Sequence, residues 1–214
     1  MRYAIRPMRL EDVPQANEIE RECFPTQWPP PSYKRELLFN HFSHYLVAWE
    51  VGENPDELIE QMEQKGSMPG RFLARVRRLF YADEASPSNQ RIVGLVGLRI
   101  MGDVAYIVTI GVREAYRRQG IGELLLISAI DLALMRKARV ATLEVRASNS
   151  AAQALYEKYG FTKTGARQGY YSDNREDAVI MTTDTITSAP FQSQFQRLKR
   201  AHAERWGPAQ CQID

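Results

Sequence analysis

The sequence predicts an α/β fold (α+β), a mixed sheet of seven short strands with about four helices packed on it. Three observations carry that prediction. Apolar runs rich in Val and Ile alternate along the chain with helical i, i+3, i+4 stripes. Two of the runs, Ile92 to Ile100 and Val104 to Val112, meet at Met101-Gly102-Asp103 and read as an antiparallel hairpin. The 214 residues, 44% hydrophobic and 25% charged, suit one globular domain with appendages. A chain of that size buries roughly 70% of its unfolded surface.

In chain order, Tyr3 to Arg9 alternates as a strand does. Glu11-Asp12 is an acidic helix start, and Val13, Ala16 and Ile19 form a stripe that ends at Cys23 and Phe24. Pro25, Pro29, Pro30 and Pro31 interrupt any regular element, after which Ser32 can cap a short helix from Tyr33 to Asn40. Tyr45 to Trp49 is a second strand. Residues 52–90 lose periodicity and contain Ser86-Pro87-Ser88-Asn89, so they read as an insertion. Within it, Arg71 to Tyr81 has the pattern of a basic amphipathic helix; it could touch RNA or anionic lipid, or pack its apolar side on the domain with its arginines solvated. After the hairpin come a helix over 120–137, a strand from Val140 to Val145, a helix from Ser150 to Tyr159, and strands from Phe161 to Ala166 and Ala178 to Thr183. Residues 1–186 form the expected domain and 187–214 a polar tail with an unplaced helix at best.

Charge and cysteine content narrow the function classes. With 28 Lys+Arg against 26 Asp+Glu, the net charge of +2 is too small to attract nucleic acid or membrane globally, and no DNA partner is expected. No window approaches the ~18 apolar residues of a membrane-spanning helix, and Met1-Arg2-Tyr3-Ala4-Ile5-Arg6 lacks the apolar run of a secretory signal, so a cytoplasmic location is expected. Cys23 and Cys211 suggest no disulfide framework. His41 and His44 fit one helix face but have no third ligand nearby, so no metal site is expected.

The chemistry concentrates after the hairpin. In Ile110-Gly111-Val112-Arg113 a glycine interrupts a strand, which signals a bulge or the close approach of another backbone. Arg117-Arg118-Gln119-Gly120-Ile121-Gly122 then opens a helix. Glycines there leave backbone N–H groups and the positive helix end open to a phosphate or diphosphate, and tight helix-on-sheet packing would explain them equally well. The pattern is neither a P-loop nor Gly-x-Gly-x-x-Gly.

Downstream stand Leu143-Glu144-Val145-Arg146-Ala147-Ser148-Asn149 and Ala154-Leu155-Tyr156-Glu157-Lys158-Tyr159-Gly160-Phe161, then Tyr170-Tyr171 and Arg175-Glu176-Asp177-Ala178. Together with the Arg-x-x-Gly-x-Gly turn, these motifs resemble the GNAT superfamily of acetyl-CoA-dependent N-acetyltransferases. Within it, the pattern is similar to the RimI-like ribosomal-protein-alanine and protein N-terminal acetyltransferases. The resemblance covers about 1–50 and 91–185; the insertion and the tail depart from it.

The resemblance implies a GNAT fold whose fourth and fifth strands are parallel but splay apart. The pantetheine arm of acetyl-CoA would lie between them on the backbone of Ile110 and Val112, with Gly111 suited to the bulge that opens the splay. The diphosphate would sit against Arg117, Arg118, Gln119, Gly120, Ile121 and Gly122. Asn149 would contact the cofactor, although capping the next helix explains an Asn there as well. Transfer to an amine needs a base, because an α-ammonium with reference pKa of about 7.7–8.0 is not a nucleophile, and an acid for the departing thiolate. The resemblance assigns these roles to Glu144 and Tyr156. Read alone, Glu144 could pair with Arg146 or another cation, and Tyr156, at helical spacing with Ala152 and Tyr159, could be core. Neither Cys falls in the motifs and no Gly-x-Ser-x-Gly elbow exists, so direct transfer is expected.

For the acceptor, Phe24 and Trp28 would form one wall of a peptide slot and Tyr170 and Tyr171 the other. Such a slot favours a protein N-terminus with a small first residue, and the resemblance nominates the N-terminal Ala of ribosomal protein S18. A lysine, polyamine or other small amine is a second acceptor class. A third reading is a cofactor-binding module that meets the ribosome or a membrane through residues 71–80.

Overall fold

The computed structural model describes residues 1–24, 32–51 and 90–213. The expected insertion, apart from residue 90, therefore lies outside the described residues, as do the basic segment at 71–80 and Trp28. Within the described residues the alternating runs form strands β1 (Tyr3–Pro7), β2 (Ser43–Glu50), β3 (Ile92–Met101), β4 (Val104–Val112), β5 (Val140–Arg146), β6 (Phe161–Tyr171) and β7 (Glu176–Thr183). The helices are α1 (Val13–Cys23), α2 (Tyr33–Phe39), α3 (Ile121–Met135), α4 (Ser150–Lys158) and α5 (Ala189–Trp206).

All seven strands join one mixed sheet in the order β1-β2-β3-β4-β5-β7-β6. Only β4 and β5 run parallel, and their pairing extends from Val104↔Val140 to Ile107↔Leu143 and stops. The physical reason is an extra residue in β4. Gly97 opposes Thr109 and Leu98 opposes Ile107, so Val108 is left over as a bulge that bends the strand away from its neighbour. Beyond that point β5 is held from its other side by β7, from Thr142↔Thr182 to Arg146↔Ala178. The two parallel strands thus diverge, as expected, but the bulge falls at Val108 and not at Gly111.

Helices cover both faces. Ten of the fifteen residues of α3 are buried, which suits a helix lying against the sheet on one side and other helices on the rest. Leu125 and Ala129 pack with Leu46, Val96 and Ile107 on that face, while Ala16 and Ile19 of α1 and Tyr33 of α2 pack with Tyr45, Val47 and Leu95 on the other. Asp12, at the start of α1, is fixed by a buried bidentate pair with Arg6 at 2.6 and 2.9 Å.

Within the expected polar tail the helix is α5, and the described residues around it pack on the domain. Ser188 caps α5, accepting a hydrogen bond from the Phe191 N–H, and Phe191, Phe195, Leu198 and His202 recur on one helical face. Phe195 is buried against Tyr159, and Lys199 pairs with Asp131 of α3 at 2.7 Å. After the helix, the Gln212 N–H donates to Ile5 and Gln210 accepts from it, each at 2.8 Å, covering the free edge of β1. This segment also accounts for a fifth helix among the described residues where about four were expected. Phe195→Ala should therefore cost roughly 3–5 kcal/mol, the range for truncating a buried aromatic, read as a lowered midpoint in urea unfolding.

Candidate active site

The divergence of β4 and β5 leaves backbone groups unpaired. The Arg113 N–H donates to the Val93 carbonyl at 2.9 Å, so by antiparallel alternation Gly111 turns its peptide groups toward β3. Ile110 and Val112 turn theirs toward the gap. A slot lined by N–H and C=O groups of a bent strand that no second strand pairs can grip an extended, amide-bearing chain as a sheet grips another strand. Gly111 itself serves a different purpose from the expected bulge. A Cβ there would lie 3.1 Å from Cys23 Sγ and 3.5 Å from Ile19, so the glycine lets α1 pack against β4.

Cys23, distant from the motifs in sequence, therefore abuts them in space. Its thiol donates to the Val112 carbonyl at 3.3 Å, and burial pushes its pKa up. A protonated thiol held this way is a poor nucleophile, in keeping with direct transfer.

Below the gap the chain turns into α3. Arg118 and Gly120 both adopt the left-handed conformation, at φ 63° and 77°. The first intrahelical bond runs from the Leu124 N–H to the Gly120 carbonyl at 2.9 Å. The N–H groups of Ile121, Gly122 and Glu123 are then the orphan donors of the helix start, joined by the positive dipole end. A Cβ on Gly122 would meet only the Val112 side chain, at 3.8 Å, so protein packing does not demand this glycine and a close-lying ligand would. Arg117 reaches back to the Val112 carbonyl at 3.3 Å, and Gln119 accepts from Tyr3 Oη at 2.5 Å. These donors and cations fit a diphosphate.

Glu144 lies on β5 just past the last residue paired to β4, on the sheet face opposite α3. Its carboxylate pairs with Arg167 at 3.0 Å and not with Arg146. Arg146 instead holds Asp173 and Glu176, each at 3.1 Å, and lies over the Tyr171 ring at 3.9 Å. Hydrogen bonds from Ser148 hold the Glu176 carboxyl down to about 2, fixing the loop after β5. Asn149 ends that loop as the cap of α4, accepting from the Ala152 N–H at 3.1 Å.

From α4, Tyr156 points into the structure beside Phe161, at 5.8 Å between ring centroids. It is 5% exposed, and burial, with Tyr171 nearby, holds its phenol well above the ordinary value. Among the described residues no hydrogen bond ties its hydroxyl to another side chain, and its ring belongs to the buried core. Tyr170 and Tyr171 end β6, which runs further than expected, and their rings meet edge-on at 5.2 Å. Burial pushes the Tyr171 phenol up to about 12, with Glu144 adding to the rise. Tyr171 thus lies within electrostatic reach of both Glu144 and Tyr156. Phe24, at the end of α1, is 40% exposed.

One ionisable residue of this face escaped the sequence reading. Glu20 of α1 is buried and accepts from Tyr33 Oη and, at 2.9 Å, from Thr109, the residue after the bulge. It continues the stripe of Val13, Ala16 and Cys23, and that spacing is the signal of its burial.

A parallel pair opened by a bulge above a glycine turn at a helix start is the architecture of a coenzyme A-dependent acyltransferase. Residues 55–161 match the acetyltransferase (GNAT) family. The chain is 36% identical over 178 residues, 83% of its own length and 93% of the relative's, to a Bacillus subtilis (strain 168) protein provisionally named a ribosomal protein bS18-alanine N-acetyltransferase. It is 32% identical over 180 residues, 84% of its length and 91% of the relative's, to an N-alpha-acetyltransferase of Sulfurisphaera tokodaii. The structure of the ribosomal-protein-S18-alanine N-acetyltransferase from Escherichia coli superposes with a TM-score of 0.62 at 26% identity, over 87% of this chain and 96% of that one. The chain belongs to the GNAT family and is an N-acetyltransferase that uses acetyl-CoA.

Burial raises the Glu20 pKa, which fixes the sign of a pH effect. A carboxyl whose folded pKa exceeds its unfolded one adds stability that is full below the ordinary carboxylate value and is lost as pH rises through the folded value. Across that window, thermal melts should show wild type losing stability with rising pH, and Glu20→Gln, which keeps the acceptor oxygen, should flatten the loss.

Proposed function

We propose that the chain acetylates the N-terminal α-amine of a protein, with the N-terminal alanine of ribosomal protein bS18 as the leading acceptor. The observation that carries the reading is Glu144, placed where β5 leaves β4 and facing the same space as Tyr170 and Tyr171. The near-full-length likeness to a bS18-alanine and an N-alpha acetyltransferase supports the acceptor class. A bS18 acceptor places the work in the cytoplasm.

Acetyl-CoA supplies the acetyl group as a thioester. The turn from Arg117 to Gly122 holds its diphosphate, and the backbone of Ile110 and Val112 holds its pantetheine arm. Asn149, already a helix cap, retains its amide N–H2 for the same ligand. Tyr170 and Tyr171, with Phe24 as part of the other wall, grip the acceptor backbone. The incoming ammonium displaces Arg167 from Glu144, an exchange that costs little because exposed ion pairs contribute about 0–1 kcal/mol. Glu144 then accepts the ammonium proton, directly or through water, and the neutral nitrogen attacks the carbonyl carbon. As the carbon–sulfur bond breaks, the Tyr156 hydroxyl, a neutral phenol whose pKa burial raises further, donates its proton to the departing sulfur, and the second proton lost from the acetylated nitrogen passes through water to restore the phenol.

Glu144→Gln and Tyr156→Phe should each lower kcat roughly 10–10³-fold while leaving acetyl-CoA affinity within twofold, in line with general acid–base contributions. Unchanged turnover in purified Glu144→Gln would remove the base. Mass spectrometry of a panel of N-terminal peptides, lysine peptides and polyamines should show acetyl addition confined to α-amines, strongest for Ala-first peptides. Preferential acetylation of a polyamine or a lysine side chain would contradict the reading.

A further inference from the structure

Residues 189–213 lie beyond the stretch that matches the family, yet they converge on the cofactor turn. His202, 5% exposed, places Nε2 3.0 Å from the Gly120 carbonyl. A carbonyl only accepts, so Nε2 carries the hydrogen and donates it. The same carbonyl accepts the first helical N–H, from Leu124. One turn further along α5, the Trp206 ring closes under Gly120, where a Cβ would lie 2.7 Å from ring atoms Cδ1 and Nε1. Gly120 is therefore doubly constrained, by a left-handed φ of 77° and by the indole.

The anchoring continues past the helix. Gly207, at φ 83°, turns the chain so that the Pro208 carbonyl accepts from the N-terminal ammonium at 2.8 Å, and the strand bridge to Ile5 follows. Tyr3, two residues from Ile5, donates to Gln119 in the same turn. A diphosphate site made of backbone N–H groups works only if those groups already point outward; a turn free to relax would lose affinity in ordering itself. We propose that α5 presets this turn, with His202 and Trp206 as positioning residues for binding the diphosphate end of the donor. The inference rests on the reading that residues 117–122 hold that diphosphate.

The test compares acetyl-CoA with acetyl-pantetheine, a thioester that lacks the nucleotide and its diphosphate. Loss of one hydrogen bond to the turn should weaken acetyl-CoA binding roughly three- to tenfold in His202→Leu, measured by calorimetry. Trp206→Ala should act in the same direction. The loss should appear in KM for acetyl-CoA and not in kcat, His202→Gln should recover part of it through its amide N–H, and the KM for acetyl-pantetheine should not move. Circular dichroism establishes that each variant is folded; should Trp206→Ala unfold, the His202→Leu and His202→Gln pair decides alone. Folded His202→Leu that binds acetyl-CoA within twofold of wild type, or that loses both thioesters equally, overturns the proposal. Arg118→Ala separates the two claims. If it weakens acetyl-CoA binding and His202→Leu does not, only the role of α5 falls; if neither does, the placement of the diphosphate falls with it.

Discussion

Beyond Ile107 and Leu143, β4 and β5 exchange no ladder bonds, and the rest of the site follows from that parting. Backbone N–H and C=O groups left without partners in a sheet are costly unless something satisfies them. Here the Val112 carbonyl is met in part by Cys23 and Arg117, while the opposite wall is held away by β7. The sheet keeps its strength because β3 holds one strand and β7 the other. A single leftover residue, Val108, thus converts the middle of a continuous sheet into a slot without creating a loose edge.

Around the slot the two sides differ in character. One side, proposed above to hold the donor, carries partial charges from helix-start N–H groups and a left-handed turn flanked by Arg117 and Arg118. The other, proposed to face the acceptor, carries carboxylates and phenols. Glu144 keeps some exposure and an easily exchanged partner, whereas Glu20 is buried beneath Tyr33 and Thr109. Environment therefore separates two glutamates on the same face, one suited to proton exchange and the other to the frame.

Much of this was legible in the sequence because local chemistry dictates it. The seven strands, the hairpin, the glycine turn before α3 and the Asn149 cap all follow from period, turn residues and capping. Boundaries shifted by a few residues, and β6 ran through Tyr171. A glycine in a strand marks either a bulge or a close approach, and Gly111 proves to be a close approach; bulges also form at β-branched residues, and only pairing register reveals the one at Val108. Gly111 answered to a neighbour on α1 that is distant in sequence. The polar tail hid a helix whose apolar face spans few residues among many charges; the stripe from Phe191 to His202 and the Ser188-Ala189-Pro190 start were its signals. That Glu144 pairs with a cation is one of the readings its sequence allows, but not that the cation is Arg167, which reaches it across the sheet from β6.

The opening between β4 and β5 is proposed to receive the acyl donor. Backbone amide exchange, followed residue by residue with and without acetyl-CoA, tests it most directly. Exchange should slow at Ile110, Val112 and Ile121 to Glu123, with the far strands β1 and β2 unaffected. Protection elsewhere, with none at Ile110 and Val112, would contradict it.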